Sequence, residues 1–270
     1  MFKRVLFLVV TLCVAAFAAQ ALAQEVMFAY SFEAGSSNRY SVKLSQQVDF
    51  GGNEMGQFAD LEVTVKCVSV NEGSAVMEMT FDKADISRSM LGNQMSDPVA
   101  EVLATKALTF SVSPTGEVTD IKQSGYYDGW EQMRVFVEPV VKAWYVRLPG
   151  KKYAPGAEWN QKNTEKGSDG ADVAMDIKYK YKENKKQGNR DCAVVTGDVA
   201  TEVSGQSTTP MGPYKVAGHG KGKAEFMFDT AKTEIAKLKS KMSIDMDLTP
   251  VSGGDTTKAN ISYELQRELL

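Results

Sequence analysis

The chain has a single histidine, His219, set in Gly218-His219-Gly220-Lys221. A nucleophile-and-base site would need that imidazole held rigidly beside a serine or cysteine, and glycines on both sides predict a mobile turn instead. Zinc takes three or four His, Cys or acidic ligands, and beyond the leader the chain offers this one histidine with the well-separated Cys67 and Cys192. The glycines around Lys221 lack phosphate-loop spacing and precede a strand rather than a helix. Asp245 and Asp247 lie two apart, so both face one side of a strand, as the paired acids of a glycosidase would. Lys237, Lys239 and Lys241 share that side, which makes it an ordinary solvated face. A second row, Lys178, Lys180 and Lys182, could meet an anionic headgroup or glycan, but exposed strand faces also carry lysine to block edge pairing. The expectation is therefore no catalytic residue, no metal, no cofactor and no enzyme.

The elements that would position these residues are strands. From Ala236 to Leu248 the apolar Leu238, Met242, Ile244, Met246 and Leu248 alternate with Lys239, Lys241, Ser243, Asp245 and Asp247, giving one dry and one wet face. With Ala224, Phe226 and Phe228 before it, this segment predicts a hairpin. Ala107 to Gln123 is a weaker copy around Ser113-Pro114-Thr115-Gly116. The same alternation runs through Val26–Phe32, Tyr40–Phe50, Leu61–Cys67, Ala75–Phe81, Ala171–Tyr181 and Ala259–Leu265. Gly205 to Gly222, with two prolines and five glycines, reads as a long loop.

Two segments break the period. Ser96-Asp97-Pro98 offers a helix start before Val99, Val102 and Leu103. Trp130, Met133, Val137, Val140, Val141 and Trp144 recur at helical spacing, with a kink expected at Pro139. The resulting plan is mainly β (α+β): a duplicated antiparallel curved sheet or half-barrel with a covering helix. Its expected parts are residues 1–23 as signal peptide, 24–125 as first β repeat, 126–155 as helical connection and 156–270 as second β repeat, the two repeats forming one domain.

Lys3 and Arg4, an apolar run from Val5 to Ala19 and Ala21-Leu22-Ala23 make a secretory signal cut before Gln24. The run is shorter than the roughly 20 residues of a spanning helix, so no integral membrane span is expected after its removal. Cys13 lies inside the run and does not follow a cleavage site, which argues against lipid attachment. Cleavage takes the net charge from −3 to −5, too acidic for nucleic acid to be the main partner. An exported chain with Cys67 and Cys192 leaves a bridge between them open. The expected location is periplasmic or extracellular.

Leu148-Pro149-Gly150 and Ala154-Pro155-Gly156-Ala157-Glu158-Trp159, set between two β-rich halves behind an exported N-terminus, resemble a family of uncharacterised exported bacterial proteins. That family is in turn distantly similar to lipoprotein-carrier half-barrels, whose curved sheet and helices enclose an apolar cavity. The resemblance implies a fold and a lipophilic ligand, and no catalytic residue. Two functions follow. The first is a carrier holding a lipophilic small molecule against its concave face, with Trp130, Met133, Val137, Trp144, Met242 and Met246 as ligand-binding residues, since methionine adapts to irregular ligands. The second is a structural or protein-interaction protein of the cell envelope, its sheet filled by its own side chains and its partner an envelope protein.

Overall fold

The computed structural model describes residues 25–90, 93–123, 137–138, 140–167, 170–209 and 212–270. The expected signal peptide, Trp130, Met133 and Pro139 lie outside the described residues. The chain is mainly β. Its strands are β1 (Val26–Met27), β2 (Ser37–Phe50), β3 (Asn53–Asn71), β4 (Ser74–Met90), β5 (Asn93–Ser96), β6 (Leu108–Val112), β7 (Val118–Gln123), β8 (Lys152–Tyr153), β9 (Glu158–Lys166), β10 (Asp172–Gln187), β11 (Arg190–Thr209), β12 (Gly212–Asp229), β13 (Glu234–Pro250) and β14 (Thr257–Leu269). One short helix, α1 (Val99–Leu103), follows β5, and residues 137–138 and 140–142 are also helical.

Twelve of these strands form one open antiparallel sheet in the order β7-β6-β4-β3-β2-β14-β13-β12-β11-β10-β9, with β5 paired to β4 beside it. Tight turns dictate most of the pairing, because each hairpin reverses within a few residues: Glu72 and Gly73 take positive φ between β3 and β4, and Gly51 and Gly52 between β2 and β3. The junction between halves is different. The last strand, β14, pairs with β2 from Ala259↔Phe50 to Leu269↔Tyr40. Far-apart segments of sequence thereby meet at the middle of the sheet.

The expected alternation holds across β13, where Leu238 and Ile244 are buried, Met242, Met246 and Leu248 half-buried, and Lys239, Lys241, Ser243, Asp245 and Asp247 exposed. Two expectations are corrected. The stretch from Gly205 to Gly222 is strand, not loop, with only residues 210 and 211 between β11 and β12. Gly218, Gly220 and Gly222 fall at alternate positions on the inner face, where a Cβ would sit 2.7, 2.7 and 2.6 Å from the carbonyl oxygens of Asp245, Ser243 and Lys241 in β13. Here glycine permits close strand approach rather than a turn. The second correction concerns Val26–Phe32, of which only Val26–Met27 is strand, paired with β8 outside the main sheet. The segment after it is held by Phe28 N–H to Lys151 O at 3.0 Å and Tyr30 N–H to Pro114 O at 2.7 Å.

The inner face has two storeys. At the end where β2 begins and β14 ends, it is filled. One cluster there combines Val42, Val63, Met79 and Phe110 with Val137 and Val141 of the helical residues and Trp144 of the turn after them. A second packs Phe28 against Trp159, Tyr181 and Phe228, with ring centroids 5.3, 5.2 and 5.5 Å away. Burying each such ring contributes about 1.5–3 kcal/mol, which is why an irregular N-terminal segment stays docked. Partly buried Phe32, Tyr145 and Leu265 touch both clusters. At the opposite end a smaller cluster holds Ala171, Val203, Val216 and Ile244.

Helix α1 starts as its sequence predicts. Asp97, 2% exposed, accepts from the Val99 amide at 3.0 Å and pairs with Arg88. Cys67 and Cys192 are both buried and unbridged, and burial pushes both thiols up.

Candidate functional site

The long strands carry the inner face beyond the filled storey, and there its apolar rows are only half-buried. They comprise Val48 and Phe50 of β2, Val173, Met175 and Ile177 of β10, Met242, Met246 and Leu248 of β13, and Ile261 and Tyr263 of β14. Register places these side chains on one face, since Met242 opposes Tyr263, Ile244 opposes Ile261 and Ile261 opposes Val48. Met55 and Met90, cross-strand partners at the rim, are 40% and 49% exposed. A half-open apolar trough thus runs from the filled storey to a methionine-bearing lip. The close approach of β12 to β13 gives it a wall without side chains on the glycine strand, and the Thr201 hydroxyl donates across to the Met242 sulfur at 3.4 Å.

Where the trough meets the filled storey stands Arg267, 5% exposed, on the inner row of β14 after Ile261, Tyr263 and Leu265. Its guanidinium lies 4.8 Å from the Trp144 ring centroid and 5.3 Å from that of Tyr40, and those two rings meet edge-on at 5.4 Å. One Nη donates to the Trp144 carbonyl oxygen, while Nε is buried without an acceptor. Burial raises the phenol of Tyr40 to about 12 and raises those of Tyr30 and Tyr145 as well, with Arg267 opposing the rise in each. These tyrosines are neutral at physiological pH and supply no counter-charge.

Of the six residues expected to bind ligand, Val137 and Trp144 lie in the filled storey, 5% exposed each, while Met242 and Met246 line the half-open one. The structure does not bring the two pairs into one cluster; Arg267 and Leu265 stand between them. Trp130 and Met133 lie outside the described residues. Arg267 was missed by sequence reasoning, although a signal existed. The alternation Ala259, Ile261, Tyr263, Leu265 reaches Arg267 in the same phase, and a charge at an inward position is an anomaly.

A cleft of about 580 Å³ crosses β14, β2, β3 and β4 around Leu44, Phe58, Ala59 and Ile86, rimmed by Asp60, Asp85 and Glu264. Each of those carboxylates has a lysine beside it: Lys43 at 3.6 Å, Lys83 at 2.9 Å and Lys241 at 2.8 Å. Such paired acids suit a solvated surface better than hydrolysis. None of Val137, Trp144, Met242 and Met246 lines this cleft. His219, expected in a mobile turn, sits in β12 on the exposed face, opposite Glu202 and Asp245. Among the described residues no cluster of three or more His, Cys, Asp or Glu is placed to hold a metal, and no helix is long and apolar enough to cross a membrane.

No protein-family model matches the chain, and no curated relative is detectable by sequence. Among solved structures the fold is similar to that of a chain described under lipid–protein interactions in lipovitellin, with a TM-score of 0.53 at 11% identity. The match covers 89% of this chain and 25% of that one, so the present chain spans about a quarter of its structural neighbour. The likeness shows a shared β fold.

Proposed function

We propose that the protein holds a lipophilic molecule in the half-open storey of its inner sheet face, without catalysing a reaction on it. The observation that carries this reading is the contrast within one face. One end is filled by two large buried clusters, while the other, around a small one, keeps Met175, Met242, Met246, Ile261 and Tyr263 half-exposed beside a glycine-thinned wall. A face built only for stability would gain by filling that storey too. The lipid-centred description of the structural neighbour supports the same reading. With residues 1–23 as a leader cut before Gln24, binding takes place outside the cytoplasm, in the periplasm or extracellular space. Native mass spectrometry of the purified protein, followed by titration with fatty acids, isoprenoids and phospholipids, tests it. The expected result is a retained or saturable lipophilic adduct that Met242→Asp abolishes. If no lipid is retained and none binds, the protein is instead a structural or interaction protein of the envelope, a reading favoured by the tight packing of Val137 and Trp144.

A further inference from the structure

Arg267 is a charge that its own fold leaves without an opposite charge. Among the described residues no carboxylate comes within 4 Å of it, and its polar contact is the Trp144 carbonyl. Glu234, the acid whose ionisation it influences, accepts nothing from it: one Glu234 oxygen accepts from Asn38 and the other is buried without a partner. A guanidinium does not escape by losing its proton, and burying it unpaired costs several kcal/mol even after relaxation. Two aromatic rings offset part of that cost. The Nε edge is left over.

We propose that the lipophilic ligand is a long-chain carboxylic acid, bound with its carboxylate on the Nε edge of Arg267 and its chain along the inner row of β14. The inference rests on the lipophilic-ligand reading above and adds the chemical class. Position supports it, because Arg267 follows Ala259, Ile261, Tyr263 and Leu265 in the inward row, with only Leu269 of the filled storey beyond it. From Leu265 to Ala259 that row extends roughly 20 Å at about 3.4 Å per residue, room for an extended acyl chain. The free edge suits a carboxylate. With the Trp144 and Tyr40 rings beside the guanidinium, approach in its plane to Nε and an adjacent Nη is the fork a planar carboxylate fits. Neutral phenols nearby leave Arg267 as the cation that the headgroup meets.

The test compares palmitic acid, hexadecanol, methyl palmitate and a single-chain lysophosphatidic acid, each titrated into the full-length exported protein and read by native mass spectrometry and tryptophan emission. Palmitic acid should bind on the order of tenfold or more tighter than the alcohol and ester, the difference expected from one charge-assisted contact. Arg267→Met should erase that preference by weakening palmitic acid far more than hexadecanol, and Arg267→Lys should restore part of it. Equal affinity for acid, alcohol and ester overturns the carboxylate assignment and leaves the lipophilic reading standing. Tighter binding of the phosphate overturns it in favour of a different headgroup. Binding of none of the four overturns the carboxylate assignment, and the isoprenoid and phospholipid titrations then decide the lipophilic reading. If Arg267→Met fails to fold, the ligand preference of the unmodified protein decides the question alone.

Discussion

Glu234 shows how single residues depart from the pattern that makes them. It begins β13, where Asn38 donates to one carboxylate oxygen and the other has no partner, and burial is the largest cause of its raised pKa. A raised carboxylate pKa means that the folded state prefers the proton. Its stabilising contribution is therefore complete below the unfolded value near 4.5 and is lost as pH rises through the folded one. Glu234→Gln keeps an acceptor for Asn38 and removes the charge. We expect it to be more stable than the parent at pH 7 and equal to it at pH 3.5, measured by urea denaturation at both values. A constant difference across pH would show that Glu234 is solvated in solution. Neither Glu234 nor Arg267 stands out by composition; both matter through phase and partners. Phase was legible at Arg267, whereas the missing partner depends on side chains distant in sequence.

Elements were legible where side chains report their environment. The alternation of β13 located its dry face residue by residue, and a consequence follows directly. Ile244→Asp should cost more than about 4 kcal/mol by burying an unpaired charge, while Lys239→Glu on the exposed side should cost about 1 kcal/mol or less. Thermal unfolding of the two variants checks this, and similar melting temperatures would reverse the assignment of faces. β12 was illegible for the opposite reason. Its inner positions 218, 220 and 222 have no side chain to report anything, so glycine content imitated a loop. What the strand requires is room: at Gly220 a Cβ would lie 2.7 Å from both Ile244 Cγ1 and Ser243 O. Gly220→Ala should lose about 1–3 kcal/mol through overpacking, although alanine is the better strand former, and denaturant melts should show it. Unchanged stability would mean that β12 and β13 separate easily. Of the helix expected from Trp130 to Trp144, the described helical residues are 137–138 and 140–142; whether they roof a cavity or plug a core depended on what lay beneath, and Trp144, in the turn after them, lies against Tyr40 and Arg267.

At the scale of the whole molecule, the class of fold was readable because one-faced strands have few ways to bury themselves. The order of strands across the middle was not. Local hairpins set every neighbour except where β4 meets β6 and β14 meets β2, and no local signal announces a pairing between residues 40–50 and 259–269. That seam carries the integrity of the sheet. Removing residues 257–270 should expose β2 and β13 as raw edges and replace one cooperative unfolding transition by broad or absent ones, as followed by circular dichroism and calorimetry. A single sharp transition in the truncated chain would show that the halves hold together by their side-chain clusters alone.

The placement of the last strand at the centre has a temporal side. A chain delivered N-terminus first, from a ribosome or through a pore, can close β2 on β3 and β12 on β13 as they emerge, yet each half keeps an unsatisfied flank until the final fourteen residues arrive. Once β9 to β13 have emerged the protein is two adhesive half-sheets, and the aggregation hazard of unpaired strand edges is concentrated in the interval before β14 joins them. The Leu270 amide donating to Arg39 O at 2.8 Å is then the closing stitch. Delay at the C-terminus, more than any defect in the core, is what this architecture tolerates least.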